Sequence, residues 1–257
     1  MGAAVIDEAS LEALLSDLSQ RSVRAEISAA ELWPELAQGL MSPWPARVLA
    51  ALRASQALPR LLAEVSALFG VLQITDGQIG VDIGVHTEKA LAEAAACEAP
   101  LAVRFALLLM NVGKSDSPPE HLPIHYRHIE RGAPRIEAIC ARFGVPEACR
   151  ELALLSLVEG ERVHRVSAVR AGPVAAMLER LGAFDQSERF NLLMTVCACD
   201  YRAYGVRSGQ SYPKAKLLLS ALDACRSIKA KTDDQEEALH LARASAIAEV
   251  FRSQRWA

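Results

Sequence analysis

The placement of prolines and glycines is the feature that most constrains the fold of this chain. Four segments have a proline at their start and a glycine at their end, namely residues 59–70, 134–144, 146–160 and 173–182. Proline lacks the amide hydrogen that the first helical turn leaves unbonded, and glycine adopts the left-handed conformation that follows a last turn. Each of these segments is therefore predicted to form a short α-helix.

Apolar residues elsewhere recur three and four positions apart, which is the spacing of one buried helix face. Two examples are Leu11, Leu14, Leu15 and Leu18 near the amino end and Phe190, Leu193, Met194 and Cys197 later in the chain. No segment shows the sustained alternation of a half-buried strand, so no strand is predicted. We expect an all-α protein of roughly ten helices, arranged as a multi-helix bundle with an N-terminal helical extension.

The composition narrows the class of protein. Hydrophobic residues make up 51% and charged residues 23% of the 257 residues, which is typical of a globular chain and not of a disordered one. A net charge of −3 and a pI near 6.1 argue against non-specific coating of nucleic acid, although a local basic patch could still bind phosphates. Six cysteines without a CxxC pair favour reduced thiols in the cytosol.

The amino-terminal sequence gives no sign of export. It carries early acidic residues and no basic region ahead of a long apolar run, so no secretory signal is predicted. No apolar stretch approaches the roughly 18 residues that a membrane helix requires. We expect a cytoplasmic protein without a membrane partner.

Three parts are predicted along the chain. They are a helical region in residues 1–80, a main domain in residues 81–230 and a docking helix in residues 231–257, with VLQITDGQIG at 71–80 as the best linker candidate. The last part opens with the acidic sequence KTDDQEE, which suits the positive end of a helix dipole. Its predicted apolar stripe consists of Leu239, Leu241, Ala246, Ile247 and Val250.

The candidate chemistry lies in three separate places. His86 stands near the start of one predicted helix, the pair Met110–Asn111 ends another, and Asp200 follows the apolar run FNLLMTVCAC. This layout resembles the H…HD…D ligand set of the HD phosphohydrolase superfamily, which implies a site for a divalent metal. The order of ALFGV, DIGVHT, VRFALLLMNVGKSDSPPEHLPIHYRH, VPEACRELALL and CDYRAYG is more specific. Through these motifs the chain resembles the C-terminal portion of bacterial tRNA nucleotidyltransferases, the CCA-adding enzymes, which comprises a helical region and an HD domain.

The polymerase head that this resemblance implies has no counterpart in the sequence. That head is a mixed α/β domain with a carboxylate pair on a strand, whereas Asp233 and Asp234 lie at a predicted helix start. Nucleotidyl transfer needs carboxylates that hold Mg²⁺ against the triphosphate. CCA addition by this chain alone is therefore not expected.

The HD motif itself is degenerate. Where the family has H-D-x-G-K, residues 110–114 read MNVGK. A thioether suits soft metals and not Mg²⁺ or Mn²⁺, and the amide of Asn111 offers an oxygen without a charge. We expect His86, Asn111 and Asp200 to form a vestigial, empty metal site with no catalytic residue. Mg, Mn or Ni is expected only if the residual site still binds.

Several basic residues and histidines are compatible with phosphate or RNA binding. They are Lys114, His125, Arg127, His128, His164, Arg202 and Arg207. Residues 201–216 contain four basic residues, three tyrosines and no acid, which suits contacts to an RNA backbone and its bases. A solvated loop whose tyrosines pack at helix ends explains the same pattern, so both interpretations stay open.

Three functions remain open on these grounds. The favoured one is a non-catalytic relative that binds a nucleotide, a phosphorylated ligand or a tRNA-like RNA. The second is a metal-dependent phosphohydrolase for phosphomonoesters or 2′,3′-cyclic nucleotides, in which His125 and His128 would complete the metal site and Lys114 would hold the phosphate. The third is a helical scaffold or regulator of a separate RNA enzyme, which could form a homodimer.

Overall fold

A computed structural model describes residues 8–22, 27–75, 78–228 and 236–255. Over these residues it contains thirteen α-helices and one antiparallel sheet of two strands, which confirms the all-α prediction. The helices are α1 Glu8–Arg21, α2 Trp33–Met41, α3 Pro45–Ala54, α4 Leu58–Leu61, α5 Ala63–Ser66, α6 Ile83–Ala96, α7 Leu101–Leu109, α8 His128–Phe143, α9 Glu147–Arg165, α10 Ala171–Arg180, α11 Ser187–Arg202, α12 Pro213–Ala224 and α13 Glu236–Arg255. In the part of the chain so described, no helix is long and apolar enough to cross a membrane.

The chain divides into two compact units. The first unit comprises Met1–Glu159 and Cys199–Gln210, and the second unit comprises Gly160–Ala198 and Ser211–Ala257. Helices α9 and α11 each contribute residues to both units. The boundaries expected near residues 80 and 230 stay predictions.

Helix α7 forms the centre of the first unit. Its residues from Val103 to Leu109 are all buried, because the sequence VRFALLL is apolar on every side except at Arg104. Helices α2 and α6 pack against α7, and α1 packs on α2 and α3. Leu11, Leu14 and Leu18 of α1 are buried as their spacing predicts.

The predicted helix ends are partly wrong. Segment 134–144 was expected to begin at its proline, but α8 begins six residues earlier and carries Pro134 inside. Its predicted end is confirmed, because Gly144 follows the last turn with a left-handed φ of 65°. Gly160 does not end α9, since the buried face continues to Val163 and one helical glycine costs only ~1 kcal/mol. Segment 59–70 contains two four-residue helices instead of one.

Residues expected to form a linker contain a β-hairpin, so the prediction of no strand is wrong there. Strand β1, Leu72–Thr75, pairs with β2, Gln78–Asp82. The hydrophobic pattern of β1 is inverted, because Leu72 and Ile74 are 42% and 43% exposed whereas Gln73 is 6% exposed. The sequence LQIT does alternate between apolar and polar residues, but only over four positions, which is too short a run to be told from a loop.

The end of the hairpin fixes the start of α6. Asp82 is the last residue of β2 and the N-cap of α6, where its Oδ1 accepts a hydrogen bond of 2.9 Å from the amide of Val85. Its Oδ2 accepts another, of 2.7 Å, from the amide of Gly70. One carboxylate therefore positions both the hairpin and the helix that carries His86.

In the second unit, α13 packs against α10 and α12. Glu179 of α10 accepts hydrogen bonds from His240 at 2.8 Å and from Arg243 at 3.0 Å. Ile247 of the predicted apolar stripe is buried, whereas Leu241 is 61% exposed. The stripe was wrong at Leu241 because the helix turns that position away from α10 and α12. Residues 229–235, which include the predicted Asp233–Asp234 helix start, lie outside the described residues.

Candidate functional site

A buried hydrogen bond joins two of the predicted metal ligands directly. His86 on the first turn of α6 places Nε2 at 2.8 Å from Oδ1 of Asp200 on α11. Both residues belong to the first unit, and both are buried. The ring of Tyr204 covers the imidazole, with ring centroids 4.3 Å apart and planes tilted by 34°. Two side chains of the predicted ligand set are therefore bonded to each other.

The degenerate pair lies at the end of α7. Met110 is the C-cap of this helix, Asn111 follows it, and both are buried. A 3₁₀ turn, Val112–Lys114, then passes so close to α8 that a Cβ on Gly113 would lie 1.9 Å from the carbonyl oxygen of His128. Only glycine fits at this crossing.

Lys114 is held by the hairpin. It is buried, and its Nζ donates a hydrogen bond of 3.1 Å to Oε1 of Gln73. The Nε2 of Gln73 in turn donates to the hydroxyl of Tyr204 at 3.2 Å. Strand β1 thus links Lys114, the predicted phosphate-binding lysine, to the ring that covers His86.

His125 is bonded on both ring nitrogens. Its Nε2 lies 3.1 Å from the carbonyl of Leu72 and its Nδ1 lies 2.8 Å from Oγ of Ser117. A carbonyl only accepts, so Nε2 carries the hydrogen and, in the neutral ring, Nδ1 accepts from the Ser117 hydroxyl. His128 donates from Nδ1 to the carbonyl of His125 at 2.9 Å. The hydrogen bonds of His125 and His128 thereby stabilise the loop that carries these two residues.

Arginines anchor the start of this loop. Arg135 donates to both carboxylate oxygens of Asp116, at 3.0 and 2.7 Å, and Arg131 donates to Oγ of Ser117 at 2.9 Å. The hydrogen bond from Arg135 keeps the pKa of Asp116 below its usual value. The segment before the histidines is therefore tied to α8.

The three arginines that were predicted to contact RNA lie nearer the surface of the first unit than Lys114 and His125 do. The side chain of Arg127 is 75% exposed and lies 2.8 Å from Glu130. The guanidinium of Arg207 stacks 4.5 Å from the ring centre of Tyr201 and 5.4 Å from that of Tyr204. Arg202 donates from Nε to the carbonyl of Gln210 at 3.0 Å.

His164 lies in the second unit. Its Nδ1 is 2.7 Å from the hydroxyl of Tyr212, and nearby Lys214 donates to the carbonyl of Val166 at 2.7 Å. The prediction that His164 contacts phosphate or RNA is neither supported nor contradicted by these bonds.

The donor set does not fit a hard divalent cation. Among the described residues, no three histidine, cysteine, aspartate or glutamate side chains lie close enough together to hold a metal ion. Met110 and Asn111 bring a thioether and a neutral amide, and the Nε2 of His86 is engaged by Asp200. Its Nδ1 is buried without a hydrogen-bond partner in the described structure.

Gln73 and Ser117 complete the polar network and were not singled out from the sequence, whereas Tyr204 is one of the three tyrosines noted in residues 201–216. Gln73 is the polar residue in the apolar run VLQI, and this was the available signal. A buried amide needs partners for both its oxygen and its nitrogen, so a glutamine in such a run predicts a nearby donor and acceptor.

Comparison with known proteins identifies the relatives of this chain. No family model matches it. The Multifunctional CCA protein of Halorhodospira halophila (strain DSM 244 / SL1) is 39% identical over 247 residues, which cover 91% of this chain and 60% of that protein. The protein of the same name from Ralstonia nicotianae (strain ATCC BAA-1114 / GMI1000) is 40% identical over 227 residues, or 85% and 53% of the two chains. That of Aromatoleum aromaticum (strain DSM 19018 / LMG 30748 / EbN1) is 41% identical over 202 residues, or 79% and 50%.

The chain thus spans 50% to 60% of the length of these three relatives. The motifs from ALFGV to CDYRAYG occur in the order expected for the carboxyl-terminal part of such a protein. The identity and the motif order agree, and this chain is therefore related to the C-terminal region of the multifunctional CCA proteins.

Proposed function

We propose that this chain is a non-catalytic, HD-like binding protein whose ligand is a tRNA-like RNA or a nucleotide derived from one. The observation that carries the proposal is the 2.8 Å hydrogen bond between His86 and Asp200. The bond gives each of these side chains a partner within the protein, and Met110 and Asn111 contribute a thioether and a neutral amide, which offer a hard cation no negative charge. On this proposal the chain binds its ligand without a metal ion and does not activate water.

The surface of the first unit supports the choice of ligand. Arg127 extends into solvent, and Arg207 stacks on two tyrosines, an arrangement that offers a positive charge beside aromatic rings. Proteins bind single-stranded RNA with such groups, because guanidinium groups pair with phosphates and aromatic rings stack on bases. The relatives bear the name CCA protein, which points to an RNA end as the ligand to test first.

Fluorescence titration of an end-labelled tRNA tests the proposal directly. Binding should be tightest at low salt and should weaken as salt rises, because phosphate contacts release counterions. Replacing both Arg127 and Arg207 by glutamine should reduce the slope of log K against log salt by about 2, roughly one for each lost contact. Arg226→Gln is the matched control, since the Arg226 side chain is 81% exposed and lies in the second unit.

Three results would contradict this function. The first is no binding at low salt, and the second is an equal loss of affinity in the Arg226→Gln control. The third would favour the phosphohydrolase alternative. Elemental analysis would find stoichiometric metal, and the protein would hydrolyse a 2′,3′-cyclic nucleotide in added Mn²⁺ or Ni²⁺. The substitution His86→Ala would abolish this hydrolysis. The scaffold role and the homodimer remain predictions, to be tested by sedimentation.

A further inference from the structure

Two cysteines of the first unit lie in direct contact. The Sγ atoms of Cys97 and Cys199 are 3.7 Å apart, although 102 positions separate them in the sequence. Cys97 is the C-cap of α6 and is exposed, whereas Cys199 lies buried in α11. A reagent from solvent therefore reaches Cys97 first, whereas Cys199 is shielded by the protein.

A buried arginine supplies positive charge beside this pair. Arg104 of α7 donates to the carbonyls of Ala99, Leu40 and Ser42, each at 2.8 Å. All three acceptors are main-chain carbonyls, so within the described structure no carboxylate balances the guanidinium charge. Cys97 and Cys199 both lie within its electrostatic range. Burial nevertheless raises the pKa of the Cys199 thiol, so the exposed Cys97 is the thiol that meets a reagent from solvent first.

We propose that Cys97 and Cys199 form an oxidation site, at which a small disulfide such as glutathione disulfide converts the two thiols into one intrachain disulfide. The Cys97 thiolate attacks a sulfur of glutathione disulfide, its S–S bond breaks, and one glutathione leaves as the thiolate. Cys199 then attacks the Cys97 sulfur of the mixed disulfide, loses its proton to solvent and releases the second glutathione. The two cysteines lose two electrons, which reduce glutathione disulfide to two thiols.

The cross-link would join the two helices that carry the candidate site. His86 lies on α6, which ends at Cys97, and Asp200 follows Cys199 on α11. Oxidation at this pair therefore reinforces the contact between α6 and α11 that the bond from His86 to Asp200 already makes. A disulfide carries no charge, so the cross-link adds none to the surface.

Native oxidation followed by peptide mapping tests the proposal. The reduced protein is freed of reductant, incubated with glutathione disulfide near neutral pH, alkylated and digested without reduction. Mass spectrometry should find the Cys97 and Cys199 peptides joined, and the thiols titrated after unfolding should fall from six to four, since one bond consumes two. The oxidised protein should unfold at a higher temperature than the reduced one, because the link constrains the unfolded chain.

Single variants separate the two chemical steps. Cys199→Ala should stop at a glutathione adduct on Cys97, and Cys97→Ser should give neither that adduct nor the cross-link. Cys225→Ala is the control, since Cys225 lies in the second unit and should leave the cross-link in place. The proposal is overturned if wild-type protein keeps six thiols, stops at the glutathione adduct, joins other cysteine pairs or links separate molecules.

Discussion

At the scale of single residues, Arg104 shows how a charged side chain can stabilise an apolar core. Two of its three acceptors, Leu40 and Ser42, lie at the carboxyl end of α2, where helices have carbonyls without an internal partner. Burial lowers the pKa of Arg104, yet a guanidinium stays protonated at every physiological pH. The residue therefore acts as a C-cap for α2 supplied by another helix.

Replacing Arg104 by methionine should lower the free energy of unfolding by about 3 kcal/mol. The methionine side chain fills similar space but leaves carbonyls at the end of α2 without their donor. Urea denaturation measures the change. Arg226→Met, at a side chain that is 81% exposed, should change stability by less than about 0.5 kcal/mol. Equal effects of the two substitutions would refute the capping role.

The sequence allowed some of the site to be predicted at this scale and not the rest. His86 and Asp200 were expected to come together, because the resemblance places both at one metal site, and they do lie in contact. Their direct bond was not expected, since a motif specifies residue types and not which atoms face each other. Gln73 was missed because its partners Lys114 and Tyr204 lie 41 and 131 positions away.

At the scale of elements, the crossing of the 3₁₀ turn Val112–Lys114 with α8 depends on two glycines. A Cβ on Gly113 would lie 2.7 Å from the amide nitrogen of Gly132, in addition to its clash with His128. A Cβ on Gly132 would meet the side chain of Leu157 at 2.8 Å. The turn that carries Lys114 is thus positioned by close contact between main chains.

Gly113→Ala should destabilise the protein by about 3 kcal/mol or more, because main-chain atoms cannot move aside as a flexible side chain can. Gly172→Ala is the matched control: no atom lies within 4 Å of a Cβ there, and alanine favours the helix α10. It should leave stability unchanged or raise it by up to about 1 kcal/mol. Thermal unfolding of the two variants gives the comparison, and a neutral Gly113→Ala would show that the two segments are not in close contact.

Elements with local signals were the ones that the sequence predicted well. Helices α8 and α10 are followed by Gly144 and Gly182, which adopt the left-handed conformation that the spacing of prolines and glycines predicts. The hairpin escaped prediction because its reason to exist is not local. Gln73 is buried by its bonds to Lys114 and Tyr204, which leaves Leu72 and Ile74 outside. Hydrogen bonds between side chains far apart in the sequence therefore decide which face of β1 is buried, against the usual preference for burying its apolar residues.

At the scale of the whole molecule, buried thiols couple stability to alkaline pH. Burial raises the pKa of Cys140 to about 11, with the charge of Glu137 adding to the effect, and burial also raises the pKa of Cys149, Cys199 and Cys225. Above pH 9 the unfolded chain loses these protons while the folded chain keeps them. Proton loss then favours the unfolded state, so stability is complete below about pH 9 and falls as pH rises toward 11.

Cys140 alone should account for a loss of about 2 kcal/mol by pH 11. Urea denaturation of wild type and Cys140→Ala at pH 8 and pH 11 isolates this part, because alanine has no thiol to titrate. The stability difference between the two proteins should shift in favour of the variant by about that amount over this range. A difference that is constant with pH would contradict the raised pKa.

The discontinuity of the first unit has a consequence for its synthesis. A ribosome delivers Met1–Glu159 first, and residues 160–198 of the other unit must follow before Cys199–Gln210 emerges. At translation speeds of roughly 5–20 residues per second, these 39 residues take roughly 2–8 seconds. During that interval the growing polypeptide holds α6 without Asp200 and Tyr204, so the two side chains that contact His86 are missing. The surface around His86 therefore stays open to other molecules until Asp200 and Tyr204 have been made.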